Sequence, residues 1–273
     1  MAQVNNIVPA AIVSEPAMVL DKTIVKQGQL IIAKFTDLKS KPTVYFMDRE
    51  FKTYKTAENS YWTAIPVDAL AKLGDYKLSA KAGSWSQEST IKILDSKKGV
   101  QHIHLADDKD DLVATQKELN AVGTGLHADS DSKLWSGKFV YPNKAAKSSP
   151  FGVKRSYNNG PLDSYHKGLD FAAGTGSPVL APAAGKVVTV GYEKEGFVVH
   201  GNSVILDHGH GITSIYMHLN TVDVKVGDLL KAGDKIGTVG HTGISTGPHL
   251  HWGVYAHGTS TDPEQFVASP IGF

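Results

Sequence analysis

From about Ala17 to Leu94, short runs of apolar and β-branched residues recur every eight to twelve positions, with turn residues between them. The runs are Gln29–Phe35, Thr43–Met47, Phe51–Thr56, Ser60–Val67, Asp75–Ala82 and Ser89–Leu94. In the fifth, Tyr76, Leu78, Ala80 and Ala82 alternate with Lys77, Ser79 and Lys81, the period of a strand with one buried face. Regular short strands of this kind predict an immunoglobulin-like β-sandwich over 1–97, with Trp62 and Trp85 as core or edge packing rather than a ligand platform.

The period then changes. Leu112, Thr115, Leu119 and Val122 fall on one helical stripe that Asp107 and Asp108 can cap and Gly123 and Gly125 can end, which predicts a helical connector over 98–132. After the polar run HADSDSK, alternation returns over 133–273, with strands at Lys186–Tyr192, Ser203–Asp207, Ile212–His218, Lys235–Val239 and Leu250–Tyr255. This part holds most of the 27 glycines, turns at Gly227–Asp228 and Gly233–Asp234, and carries no long helical period and no glycine-rich strand-to-helix phosphate loop. The predicted fold class is therefore mainly β: sandwich, short helical connector, C-terminal β-sheet domain. At the N-terminus no Lys or Arg precedes Lys22, and Asn5, Asn6, Pro9, Glu15 and Pro16 interrupt the apolar residues, so the segment reads as neither signal peptide nor membrane span. Met1 directly before Ala2 and Gln3 fits a chain begun at a signal-peptidase cut.

Charge and composition remove whole classes of function. Lys and Arg total 28 against 27 Asp and Glu, so the net charge of +1 supplies no field for nucleic acid or anionic lipid. A chain of 273 residues buries a sizeable core and needs no staple merely to fold. The absence of cysteine excludes disulfides, thiolate zinc sites, iron–sulfur clusters and cysteine nucleophiles, so any metal must be held by nitrogen and oxygen. Against that absence stand 12 histidines, nine of them from His166 onward.

HxxxD and HxH each occur three times, where this composition supplies roughly one and about half of one by chance, so spacing alone decides nothing. Context separates them. His127 and Asp131 lie in the polar loop with no apolar scaffold and read as solvated. His208 and His210 fall in HGHG between two strands and read as hairpin-turn residues. His102, His104 and Asp108 sit at a domain exit and read as a satisfied or exposed patch. In the run from His249 to Tyr255, alternation puts His249, His251 and Gly253 on one face and Leu250, Trp252 and Val254 on the other, so a half-buried strand presents both imidazoles. From His166 to Asp170, strand and helix alike put the two end residues on one side, and Gly168 leaves the space between them free. His, Asp and His meet the needs of a catalytic zinc with an open fourth position, where water is acidified toward a pKa of about 7 and a carbonyl is polarised. Such a site also needs a proton acceptor and an oxyanion stabiliser. His218 is a candidate, with Tyr216 on its own side and Ile215, Met217 and Leu219 on the other.

Between Trp135 and Phe266, the stretches SSPFGVKRSYNNGP, YHKGLDFAAGTGSPVLAPAAGKVV, GNSVILDHGHGITSIYMHL, VKVGDLLKAGDKIGTVGHTGISTGPHLHWGVY and DPEQF resemble the LytM/lysostaphin-type zinc metallopeptidases, which cut peptidoglycan peptides. The resemblance implies a LytM-like peptidase domain over 133–273, Zn2+ held by His166, Asp170 and His251, and His218 and His249 flanking the attacked carbonyl. Some relatives use a tyrosine upstream of the first ligand, for which Tyr157 is the best match and Tyr165 the second. The implied reaction is zinc-dependent hydrolysis of peptide cross-links between peptidoglycan stem peptides, D-Ala–diaminopimelate in particular. The implied location is exported, periplasmic or cell-wall associated. Asn202 and Ser203 either shape the groove or serve as turn and strand-start residues. One alternative is a catalytically silent LytM-like activator of a cell-wall amidase, a class that typically lacks ligands, whereas all five side chains stand here. Another is a biotinyl- or lipoyl-type carrier, which 224–237 resembles but without the lysine-bearing hairpin such a domain needs. His200, His241 and His257 read as surface or turn residues.

Overall fold

The computed structural model describes residues 15–104 and 113–272. The N-terminal alternation forms two facing sheets. One orders Ala17–Leu20, Leu30–Thr36, Ser60–Pro66 and Tyr54–Ala57; the other orders Ile24–Lys26, Trp85–Leu94, Gly74–Ala82, Thr43–Phe46 and Arg49–Phe51. Neighbours are antiparallel except Ile24–Lys26, which runs parallel to Trp85–Leu94. This pair of sheets is consistent with an immunoglobulin-like sandwich. The predicted strand over Phe51–Thr56 is two strands in different sheets, and at the crossing the buried Thr53 hydroxyl donates to the Pro42 carbonyl.

The strand Leu30–Thr36 serves two cores, which is why it is apolar almost throughout. Ile31, Ala33 and Phe35 face Val44, Leu78 and Ile91 inside the sandwich. Leu30 and Ile32, with Tyr54, Trp62 and Ala64, join the core of the C-terminal sheet instead. The junction is specific: Trp62 is fully buried, and its indole N–H donates to His210 Nδ1 at 2.8 Å. Tyr54 stacks on the same imidazole at 4.4 Å, and its hydroxyl donates to Asp129 at 2.6 Å.

The connector helix differs from its prediction. It spans Gln116–Leu126, and its cap is Thr115, whose hydroxyl accepts from the Glu118 amide. Asp107 and Asp108 lie outside the described residues. Gly123 and Gly125 stand inside the helix instead of ending it. Gly125 is there for close approach, since a Cβ would lie 2.4 Å from Thr189 Oγ1 and 2.8 Å from Ile205 Cδ1 of the C-terminal sheet. The buried stripe is also rotated: Val122 and Leu126 pack with Phe197, Ile205 and Tyr255, but Leu119 is exposed and Glu118 is fully buried.

The main C-terminal sheet is antiparallel and runs Lys147–Ser149, Leu169–Phe171, Leu250–Ala256, Ile212–Val222, Asn202–Gly209, Gly185–Gly191 and Leu229–Leu230. The strand Leu250–Ala256 is buried along its whole length, not half-buried as predicted. Leu250, Trp252 and Val254 enter the core shared with the sandwich, and the helix packs over part of the opposite face. No helix among the described residues is long and apolar enough to cross a membrane.

Candidate functional site

Strand register builds the site. Leu169 pairs with Trp252 and Phe171 with Leu250, and all four side chains are core. Asp170, opposite His251, therefore points with it to the other face. His166, four residues before Asp170, completes a buried cluster. His166 Nε2 lies 2.8 Å from Asp170 Oδ1 and 3.0 Å from His251 Nδ1, and His251 Nδ1 lies 2.9 Å from Asp170 Oδ1.

The chemistry of this triangle calls for a cation. His166 Nδ1 lies 2.9 Å from the Pro150 carbonyl, an acceptor, so Nδ1 carries the proton and Nε2 of the neutral ring presents a lone pair. That lone pair faces a carboxylate oxygen at 2.8 Å, an arrangement stable only with a proton or a metal ion between them. Burial alone would raise the Asp170 pKa, yet the His166 and His251 rings beside it hold it well below the ordinary carboxylate range. Burial pushes the His251 imidazolium down to about 4, against the pull of Asp170, so the ring is neutral at pH 7 as a ligand must be. Gly168 makes the closeness possible: a Cβ there would lie 2.6 Å from His251 Nε2 and 2.5 Å from the Trp252 carbonyl oxygen. The set of three nitrogen and oxygen donors fits zinc.

His218 reaches the cluster by a device that simple alternation misses. Tyr216 pairs with Trp252 in the core, so a regular strand would point His218 into the core as well. One extra residue stands between Tyr216 and Leu219 relative to the facing Val204 and Asn202, and His218 takes a left-handed φ of 62°. This bulge returns Leu219 to the core beside Tyr216 and frees the His218 ring to lie 6.4 Å from that of His251 and 4.8 Å from that of His249. The predicted grouping of Leu219 with Ile215 and Met217, opposite Tyr216, is thus corrected. His218 Nδ1 donates to the Thr242 carbonyl at 2.8 Å and His249 Nδ1 to the Gly247 carbonyl at 2.8 Å, so each ring keeps Nε2 for other work. Burial, helped by His249 and His251, lowers the His218 imidazolium to about 3.

Tyr157 ends the strand Lys154–Tyr157, paired in parallel with Val100–Ile103 so that Tyr157 is opposite Ile103 and Ser156 opposite His102. Tyr165 is occupied elsewhere: its hydroxyl lies 3.0 Å from Asp68 of the sandwich and 2.8 Å from Ser260. His102 and His104 are exposed. His127 is exposed, and Asp131 is exposed with an ion pair to Lys52 at 2.9 Å. Asn202 braces loops, donating to the Leu219 carbonyl and accepting from the Glu193 amide.

Several histidines read as bland are structural anchors. His208 and His210 do flank the hairpin turn, but both are buried: His208 lies 2.8 Å from both the Ala184 carbonyl and the Ser214 hydroxyl, and His210 holds Trp62. His257 lies 3.2 Å from Thr63 of the sandwich, and its carbonyl accepts from Arg49. His200 is half-buried on Glu118 at 2.7 Å. Sequence reasoning missed Arg155, whose guanidinium lies 3.4 Å from Asp170, and also Thr242 and Pro150, which act through backbone carbonyls and so leave no signal in side-chain identity.

Comparison with known proteins finds relatives for the part of the chain that carries this cluster. The model of peptidase family M23 matches residues 164–263. An uncharacterized metalloprotease of Haemophilus influenzae is 42% identical over 132 residues, which is 48% of this chain and 27% of that protein. Lysostaphin of Staphylococcus simulans is 39% identical over 126 residues, 42% of this chain and 25% of that protein. The chain thus spans about a quarter of the length of these curated relatives. A crystal structure from Pseudomonas aeruginosa described as a peptidase M23 superposes with a TM-score of 0.64 at 26% identity, covering 92% of this chain and 97% of that one, sandwich included. Residues 164–263 are thus similar to peptidase family M23, and the surrounding segment is similar to lysostaphin.

Proposed function

We propose that the protein is a zinc-dependent endopeptidase that hydrolyses peptide cross-links of bacterial peptidoglycan. The observation that carries this reading is the convergence of His166 Nε2, Asp170 Oδ1 and His251 Nδ1 beside two further imidazoles, in a domain similar to lysostaphin. These three atoms would hold the zinc, which when bound supplies Lewis acidity, lowering the pKa of a water toward about 7 and polarising the carbonyl. Pro150 fixes the His166 tautomer from behind, and Arg155 balances the charge of Asp170. His218 and His249, anchored through Nδ1, each offer Nε2. One ring takes the proton of the attacking water; while it carries that proton its Nε2–H donates to the oxyanion, and it then gives the proton to the leaving amine, while Nε2 of the other ring accepts from the water and orients it. Tyr157 is assigned to stabilising the transition state, since the Tyr165 hydroxyl is already engaged.

The bond assigned is D-Ala–diaminopimelate. The exposed Lys167 next to His166 brings positive charge beside the ligand cluster, which suits a stem peptide carrying carboxylates and offers nothing to an uncharged glycine bridge. The same reading divides the chain at 1–97, 98–132 and 133–273 and places it outside the cytoplasm, periplasmic or cell-wall associated, where its substrate is.

Digestion of defined muropeptides by zinc-loaded protein, with products weighed by mass spectrometry, tests the proposal. Release of monomers from D-Ala–diaminopimelate dimers is expected. Cleavage of glycine bridges alone would overturn the bond assignment. No cleavage, together with activation of an added amidase, would overturn the enzyme.

A further inference from the structure

Glu118 is a fully buried carboxylate that the proposed chemistry does not use. It is the third residue of the connector helix, and Thr115-Gln116-Lys117-Glu118 has the form of a capping box, in which the glutamate side chain would turn back to its own helix. Here only half of that motif serves the helix: the Thr115 hydroxyl accepts from the Glu118 amide. The carboxylate reaches instead across to the C-terminal domain, accepting from the Val199 amide at 3.1 Å and the His200 amide at 2.7 Å, and pairing with His200 Nδ1 at 2.7 Å. The same turn of helix grips that loop twice more, through the Thr115 hydroxyl to the Gly196 carbonyl and Lys117 to the Glu195 carbonyl.

What this loop holds in turn is His218. The His200 carbonyl accepts the amide of His218, the left-handed bulge residue, at 3.1 Å. The Val199 carbonyl accepts from Ile244, and Gly201 packs so tightly on Thr242 that a Cβ would lie 2.5 Å from its backbone. Thr242 is the residue whose carbonyl fixes the His218 ring. Both anchors of His218, backbone and ring, thus rest on the segment Val199–Gly201 that Glu118 pins.

We propose that Glu118 is a positioning residue for His218, with the connector helix holding the Val199–Gly201 segment in the one arrangement that turns the His218 ring toward the ligand cluster. The consequence for turnover rests on the reading of His218 as a participant in hydrolysis; the consequence for ring placement does not. An apolar side chain at this site would leave two amides and an imidazole without an acceptor, so the buried carboxylate ties three donors of one loop to a single geometry.

Glu118→Gln keeps the shape but places an N–H2 group among donors. In zinc-loaded protein the expected result is unchanged zinc content, kcat on a muropeptide dimer lowered about 10- to 100-fold, and KM within about threefold of wild type. The second readout needs no activity: the His218 amide exchanges with solvent at least tenfold faster, and the 15N resonance of His218 Nδ1 shifts. Glu118→Asp, which keeps the charge, is expected to recover part of both. Wild-type kcat together with an unchanged His218 amide and ring in Glu118→Gln would overturn the proposal, as would a fall in kcat matched by equal loss of zinc. A wild-type protein that cleaves nothing, but in which Glu118→Gln still loosens His218, would count against the peptidase reading and leave the positioning role standing.

Discussion

Gly168→Ala adds one methyl group to the most crowded point of the site. Gly168 carries no left-handed φ, so the backbone accepts alanine and the effect is steric. The new Cβ would meet the Trp252 carbonyl oxygen at 2.5 Å, His251 Nε2 at 2.6 Å and His251 Cε1 at 2.7 Å, roughly an ångström inside ordinary contact. Two relaxations are open. Moving the carbonyl means separating the strands Leu169–Phe171 and Leu250–Ala256, which also hold Asp170 opposite His251. Swinging the His251 ring withdraws Nδ1 from a triangle whose edges are 2.8 to 3.0 Å. Both distort the donor set, at an overpacking cost of about 1–3 kcal/mol. Zinc affinity, measured by competition with a chelator of known affinity, is expected to fall about 10- to 100-fold, the size seen when a group that orients a ligand is disturbed. Gly174→Ala, at a glycine with open space around its Cβ position, is the control and should bind zinc like wild type. Wild-type zinc affinity in folded Gly168→Ala would refute the reasoning, because it would mean His251 does not ligate through the ring edge seen here.

Trp62→Ala should cost about 3–5 kcal/mol, since it removes a fully buried indole from the core that the sandwich shares with the peptidase sheet and leaves His210 without its donor. Calorimetry should show one transition moved down as a unit; a separate, unmoved transition of the C-terminal domain would contradict the shared core. Burial lowers the His208 imidazolium to about 4, and its unfolded value is near 6.5, so at pH between these values the unfolded chain takes up a proton that the folded one refuses. The stabilising contribution is complete above about pH 6.5 and is lost as pH falls toward 4, up to about 3 kcal/mol for this fully buried ring. Urea unfolding of wild type against His208→Asn at pH 7 and pH 4.5 measures it, and a wild-type advantage that grows on acidification would be the wrong sign.

Much of this architecture was legible in the chain because two-residue periodicity is a local signal. Tyr76 to Ala82 announces its strand, and local spacing predicts one shared side for His166 and Asp170 and another for His249 and His251, while the pairing of Asp170 with His251 comes from strand register. The failures have non-local causes. The predicted stripe takes in Leu119 and not Glu118 because nothing local shows that this carboxylate meets two amides and an imidazole from a loop some eighty residues away. Gly125 read as a terminator, although its reason is contact with Thr189 and Ile205 across the domain. At His218 the period itself breaks, since a bulge is defined by the partner strand and not by the residue that bulges. His210 and His257 read as turn residues because their left-handed turns were visible in GHG and HG, while the aromatic partners Trp62 and Tyr54 lie in another part of the chain.

The central claim is that three side chains hold the metal and a fourth, His218, acts without holding it. Zinc stoichiometry by elemental analysis on wild type, His251→Ala and His218→Ala, paired with turnover of a muropeptide dimer, tests it most directly. The account predicts one zinc per chain in wild type, none in His251→Ala with activity abolished, and one zinc in His218→Ala with kcat lowered about 100- to 10,000-fold. A full equivalent of zinc in His251→Ala, or loss of zinc in folded His218→Ala, would contradict it.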